Sequence, residues 1–144
     1  MSQTVEQALR QARFAADSQE YRLLRLPPSA ITAAAGVLAE IGEPFGAVLA
    51  DRHEVTLIVP AEAVEDFAPR LPGHQASESV FRLITLDVVL EHNLVGLIAR
   101  VAAALATAQI SVMPYAAFSR DHLLVAAPDL DRALAALSRL QAEI

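Results

Sequence analysis

Apolar residues recur at Val5, Ala8, Leu9, Ala12 and Ala16, with Glu6, Arg10, Arg13 and Asp17 set around them. That spacing predicts an amphipathic N-terminal helix over 3–19. Its apolar face is thin, so the helix needs the body of the protein or a second copy to pack against. From Tyr21 the period changes: YRLLRLPP (21–28) alternates polar and apolar and ends at a double proline, the mark of a strand that stops. Ser29 is placed to cap a helix over 30–41, which carries Ile31, Ala34, Ala35, Leu38 and Ile41 and closes at Gly42. PFGAVLADRHEVTLIVP (44–60) predicts two strands joined at Asp51-Arg52-His53. A short helix over 61–71 follows, with acidic residues in its early turns. PGHQASES (72–79) reads as a linker.

After the linker the pattern begins again. FRLITLDVV (81–89) echoes YRLLRL, and a polar break at Glu91-His92-Asn93 precedes a helix from about 94 to 108, with Asn93 as its cap. Strands over 110–117 and 121–127 flank a polar turn, and an amphipathic helix over 129–142 presents Leu130, Ala133, Leu134 and Leu137 to a core. RHEVTLIVP (52–60) reappears as RDHLLVAAP (120–128). Both halves share the order strand, helix, strand, strand, helix, an internal repeat of roughly 60 residues that reads as two related α+β units in tandem. Six strands are predicted, and each half ends without a further strand to cover its sheet edge.

Composition narrows the possibilities. The chain has 144 residues, 54% of them hydrophobic, enough for a sizeable core in one domain or two half-domains. Its net charge is −6, and all eleven basic residues are arginine. An acidic, evenly mixed surface argues against nucleic-acid binding, which needs clustered positive charge. No cysteine is present, which excludes disulfides, zinc–thiolate sites and thiol nucleophiles. The apolar run Leu94–Leu105 is interrupted by Arg100 and falls short of the ~20 residues a membrane helix needs. The N-terminus has no apolar signal core. A cytoplasmic protein without membrane contact is expected.

The chemistry-bearing residues gather around two breaks. In ISVMPYAAFSRDHLLVAAP (110–128), Ser119 and Arg120 suit ordinary turn chemistry. Asp121 is a strong charged acceptor, and His122 alternates to the opposite strand face. Pro114 fits a sheet edge, where no ladder donor is required. Adjacent Ser119, Asp121 and His122 do not make a catalytic triad, and no P-loop, G-x-G-x-x-G or nucleophile elbow occurs. The four histidines lack paired metal-ligand spacing. No enzymatic activity, cofactor or metal is expected.

FRLITLD (81–87), GLIA (96–99), AQISV (108–112) and AAFSRDHLLV (116–125) carry a resemblance. The chain resembles the tandem ACT-domain proteins related to the aspartate kinase regulatory tail and to cytosolic arginine sensors, over residues 21 to about 140. ACT units are ferredoxin-like and normally add a fourth strand. In the hairpin, Ala116, Ala117, Phe118, Ser119 and His122 depart from the family's STYDTDYILV-like pattern, while Asp121 keeps its character.

The resemblance implies an α+β fold of two ferredoxin-like (ACT) units, antiparallel sheets covered by helices on one face, with units over 21–72 and 80–144; the N-terminal helix, over 1–20, is expected from the apolar spacing. It also implies a non-catalytic regulatory protein that binds an amino acid or similar small metabolite between units and signals through their arrangement. The expected ligand-binding residues are Glu91, His92, Asn93, Leu94 and Gly96, whose backbone N–H groups meet an α-carboxylate, and Asp121, which meets the ammonium. A homodimer and a regulated protein partner are the expected associations. The competing expectation is a ligand-free dimerisation or protein-interaction module.

Overall fold

The computed structural model describes residues 2–144. The chain divides into two compact units, one made of residues 19–81 and the other of residues up to 18 together with 82–144.

The N-terminal helix is much shorter than its apolar spacing predicts: α1 spans Val5–Gln11. Thr4 and Gln7 form a reciprocal capping box at its start, Gln7 N–H to Thr4 Oγ1 at 3.1 Å and Thr4 N–H to Gln7 Oε1 at 2.9 Å. It ends where Ala12 turns extended. The Gln141 side-chain amide then donates to the Leu9 and Ala12 carbonyls at 2.8 and 2.7 Å, satisfying groups the helix leaves open. From Arg13 the chain becomes a 14-residue strand, β1 (Arg13–Leu26). Between Ala16 and Tyr21 exposure alternates residue by residue, a period of two rather than 3.6. Helical spacing of a few alanines is overridden here by strand pairing.

The unit of residues 19–81 is built from the second half of β1, then α2 (Ile31–Ile41), β2 (Ala47–Ala50), β3 (Val55–Pro60), α3 (Ala63–Phe67) and β4 (Gln75–Ala76). The prolines stop β1 as expected, but Ser29 lies within a short 3₁₀ turn and does not cap α2. Gly42 closes that helix at φ +71°, with its N–H on the Leu38 carbonyl at 3.0 Å. β3 runs antiparallel to β1, pairing Tyr21 with Pro60 and Leu26 with Val55, and β2 flanks β3. The segment 72–79 is more than a linker. Its β4 pairs antiparallel with β1, Leu24 opposite Ala76 and Arg25 opposite Gln75. Ser77 fixes that pairing by accepting the Leu23 N–H at Oγ (3.1 Å) and donating its own N–H to the Leu23 carbonyl (2.8 Å). Leu24, Leu26, Val55, Leu57 and Val59 pack with Ala34, Val37, Val64 and Leu71 in this unit's core.

The other unit carries β5 (Phe81–Asp87), α4 (Leu97–Thr107), β6 (Met113–Ala116), β7 (Asp121–Ala126) and α5 (Leu130–Ala142), with α1 and the start of β1. Its strands lie in the order β1-β5-β7-β6. Pro114 thus falls on the terminal strand of the row, and it pairs with Leu123. Ile84, Leu86, Leu123 and Val125 face Val101, Leu105, Ala133 and Leu137, and Leu9 of α1 is buried among them.

There are seven strands among the described residues rather than six. The strand added beside β1 is β4, and the strand beside β5 is β1 itself. Spatial order in the first unit is β4-β1-β3-β2, and in the second β1-β5-β7-β6, the same arrangement with β1 in the fourth strand's place. Neither edge needs a second chain to cover it. Among the described residues, no helix is long and apolar enough to cross a membrane.

A candidate ligand cleft at the start of helix α4

The loop between β5 and α4, the first turns of α4 and the β6–β7 hairpin enclose a cleft of about 400 Å³, and all its walls belong to the unit of residues 82–144. A turn closes with Leu94 N–H on the Glu91 carbonyl at 3.2 Å. The chain then reaches Gly96, which adopts the left-handed conformation at φ +98°. Glycine is suited there by conformation rather than space, because an added Cβ would meet only Val5 at an ordinary 3.8 Å. Beyond it α4 starts without any side-chain cap. The N–H groups of residues 97–99 precede the helix's first backbone bond, Arg100 N–H to Gly96 O at 3.1 Å. They leave donors and the positive end of the helix dipole at the cleft.

The hairpin is docked onto this loop. Its turn closes with Ala117 N–H on the Arg120 carbonyl at 2.9 Å, and Leu90 N–H donates to the Ser119 carbonyl at 2.8 Å. His92 Nε2 lies 2.6 Å from the Phe118 carbonyl; a carbonyl only accepts, so this nitrogen carries the proton. The His92 and Phe118 rings meet edge to face, 4.7 Å between centroids. Arg120 Nε donates to Asp87 Oδ1 at 2.9 Å, and Arg13 approaches the other Asp87 oxygen at 3.5 Å. The Arg120 bond holds the Asp87 carboxyl below the usual carboxylate range.

Asp121 begins β7 and lines the cleft. Burial raises its carboxyl above the ordinary value, a pull that nearby His122 partly offsets. His122, one residue on, lies outside the cleft with Nδ1 2.8 Å from Thr85 Oγ1. Burial lowers its pKa, Asp121 opposes that shift, and Arg120 adds to it. The Ser119, Asp121 and His122 side chains therefore do not converge on one reacting atom. Among the described residues, no three His, Asp or Glu side chains are grouped to hold a metal ion.

Five residues expected at a ligand site, Glu91, His92, Leu94, Gly96 and Asp121, line this one cleft. Asn93 does not. It is exposed in the turn and caps nothing, because α4 begins at Leu97 with Gly96 in the cap position. Sequence reading missed Gln3, which clamps the loop from outside. Gln3 N–H donates to Glu91 Oε2 at 2.9 Å, Gln3 Nε2 to the Val89 carbonyl at 3.0 Å, and Glu91 N–H to Gln3 Oε1 at 3.0 Å. No local signal links residues 88 positions apart. The Phe118 contact and the Arg120–Asp87 pair are likewise visible only in three dimensions.

The sequence profile of the ACT domain matches residues 77–139, the stretch that contains the whole cleft. Over those residues the chain is similar to the ACT domain. Among curated proteins, none matches the chain. Solved structures do match. A Vibrio cholerae protein of unknown function, described as a possible transport protein, is 28% identical, with 96% of each chain covered and a TM-score of 0.73. The Agrobacterium tumefaciens protein Atu0741 is 22% identical over 85% of this chain and 84% of its own, at 0.66. The regulatory subunit of aspartate kinase from Thermus flavus is 14% identical over 90% and 97%, at 0.69. The likeness to the Agrobacterium protein and to the aspartate kinase subunit is one of fold.

Proposed function

We propose that the protein is a non-catalytic regulatory module that binds an amino acid in the cleft at the start of α4. The carrying observation is that uncapped helix N–H groups and the Asp121 carboxylate line the same cleft. An α-carboxylate fits the N–H groups through charge-assisted hydrogen bonds, and an α-ammonium fits Asp121. In this reading Glu91, His92, Leu94 and Gly96 shape the pocket, and Asn93 contributes only to the turn. Residues 21–72 form a second ACT-like unit in tandem with 80–144, as their shared element and strand order supports. Ligand binding shifts the population of unit or subunit arrangements, and a partner protein reads the shift.

A second reading has its own support. Phe118 and Val95, each 85% exposed, stand beside the cleft, and exposed apolar side chains of this size suit a protein interface. A ligand-free homodimerisation or interaction module accounts for them equally well.

Thermal denaturation of the purified protein against each proteinogenic amino acid separates the two. A ligand at about 100 times its Kd stabilises the native state by about 2.7 kcal/mol, which moves Tm by several degrees. The expected result is a shift with a small set of amino acids that Asp121→Asn abolishes. A flat response to all of them supports the interaction module instead.

A further inference from the structure

The charged groups of the cleft are unequally available. Arg120 is engaged with Asp87 at 2.9 Å, and Arg13 reinforces the carboxylate that holds it. Glu91 is tied to Gln3 through its carboxylate and its backbone N–H. His92 is committed to the Phe118 carbonyl. Asp121 differs: among the described residues its carboxylate has no hydrogen-bond or ion-pair partner, although it is half-buried. Hydrocarbon side chains of Leu94, Leu97, Ala116, Ala117 and Phe118 stand among these polar groups in the lining.

We propose that this cleft takes an amino acid with an apolar side chain and rejects one with a side-chain carboxylate, a selectivity that rests on the amino-acid reading above. Asp121 takes the ammonium. The charge of Arg120 is already balanced by Asp87, and the Glu91 carboxylate stands in the same lining, so a side-chain carboxylate of the ligand meets like charge and no unbalanced cation. Pressed against Leu94 and Leu97 it also loses hydration. An apolar side chain there gains burial in proportion to its area. The Arg120–Asp87 pair is thus a specificity device: it balances the cleft's arginine before a ligand arrives.

The test is a thermal-shift titration of the full chain with leucine, valine, methionine and phenylalanine against aspartate and glutamate. The apolar set should bind, with the two acidic amino acids weaker by about ten- to a hundredfold, the range set by an unpaired charged group. An acidic amino acid that binds as well as the apolar set overturns the inference and leaves amino-acid binding standing. A silent panel overturns the amino-acid reading and the inference together. Asp87→Asn tests the device directly. Releasing Arg120 should create a response to aspartate or glutamate, and adding Arg120→Ala should remove it. A folded Asp87→Asn protein that still excludes both acids shows that Arg120 pairing does not set the specificity. The wild-type comparison stands whether or not that variant folds.

Discussion

Asp121 and His122 are neighbours in sequence and opposites in environment. Strand alternation sends Asp121 to the cleft and His122 to the other face, beside Thr85 and opposite Tyr115. Burial pushes each toward its neutral form, so the carboxyl's pKa rises and the imidazole's falls. The consequence for His122 has a definite sign. With its native pKa below the unfolded value of about 6.5, the unfolded chain binds more protons in the interval between them. The stability that neutral His122 contributes is present above that interval and is lost as pH falls through it. His122→Gln keeps an amide near Thr85 and removes the titration. Its Tm should therefore fall less than the wild type's between neutral and mildly acidic pH. Equal slopes for the two proteins would show that His122 does not contribute to acid sensitivity.

At the scale of elements, the short α1 does more than its size implies. It brings Leu9 into the core and places Gln3 against the 89–91 loop. Gln3→Ala removes the two side-chain hydrogen bonds and spares the backbone bond to Glu91 Oε2. Because these groups are exposed, the global cost should be about 1 kcal/mol or less. The local effect is larger: hydrogen exchange at the Glu91 amide should quicken while core amides of β7 stay protected. Unchanged exchange at Glu91 would mean that the loop holds its shape without Gln3. What the sequence made legible follows the same division between local and distant causes. Alternation and turn residues placed both hairpins, and Gly42 marked the end of α2. The repeat RHEVTLIVP/RDHLLVAAP exposed the shared order of the two halves. Arg13–Ser18 and Gln75–Ala76 were not legible as strands. One continued a helical alanine pattern, the other sat among turn formers, and each owes its extended form to a partner strand far along the chain. The cleft was legible as a loop and a hairpin, and five of its expected residues line it. Asn93 misled because a good capping residue stood three positions before the left-handed glycine that starts the helix.

At the scale of the molecule, β1 is the organising element. Its first residues stand beside β5 in one unit, and its later residues pair with β3 and β4 in the other. The ACT match begins at residue 77, yet the unit that holds its residues 82–139 also includes the chain up to residue 18. A fragment cut at the family boundary therefore loses Leu9, which is fully buried, and Phe14, which packs on the same core. It also loses the strand beside β5, exposing a row of unpaired backbone groups. Removing a buried leucine side chain alone costs about 2–5 kcal/mol, a large share of the 5–15 kcal/mol that typically separates folded from unfolded. Residues 82–144 expressed alone should thus lack a cooperative thermal transition or self-associate through the β5 edge. Joining residues 2–18 to 82–144 through a flexible linker in place of 19–81 should restore a monomer with a sharp transition. If 82–144 unfolds cooperatively as a monomer without the N-terminal segment, that segment is an accessory rather than the fourth strand of the unit. The β1–β5 pairing would then have to be explained by the needs of residues 19–81.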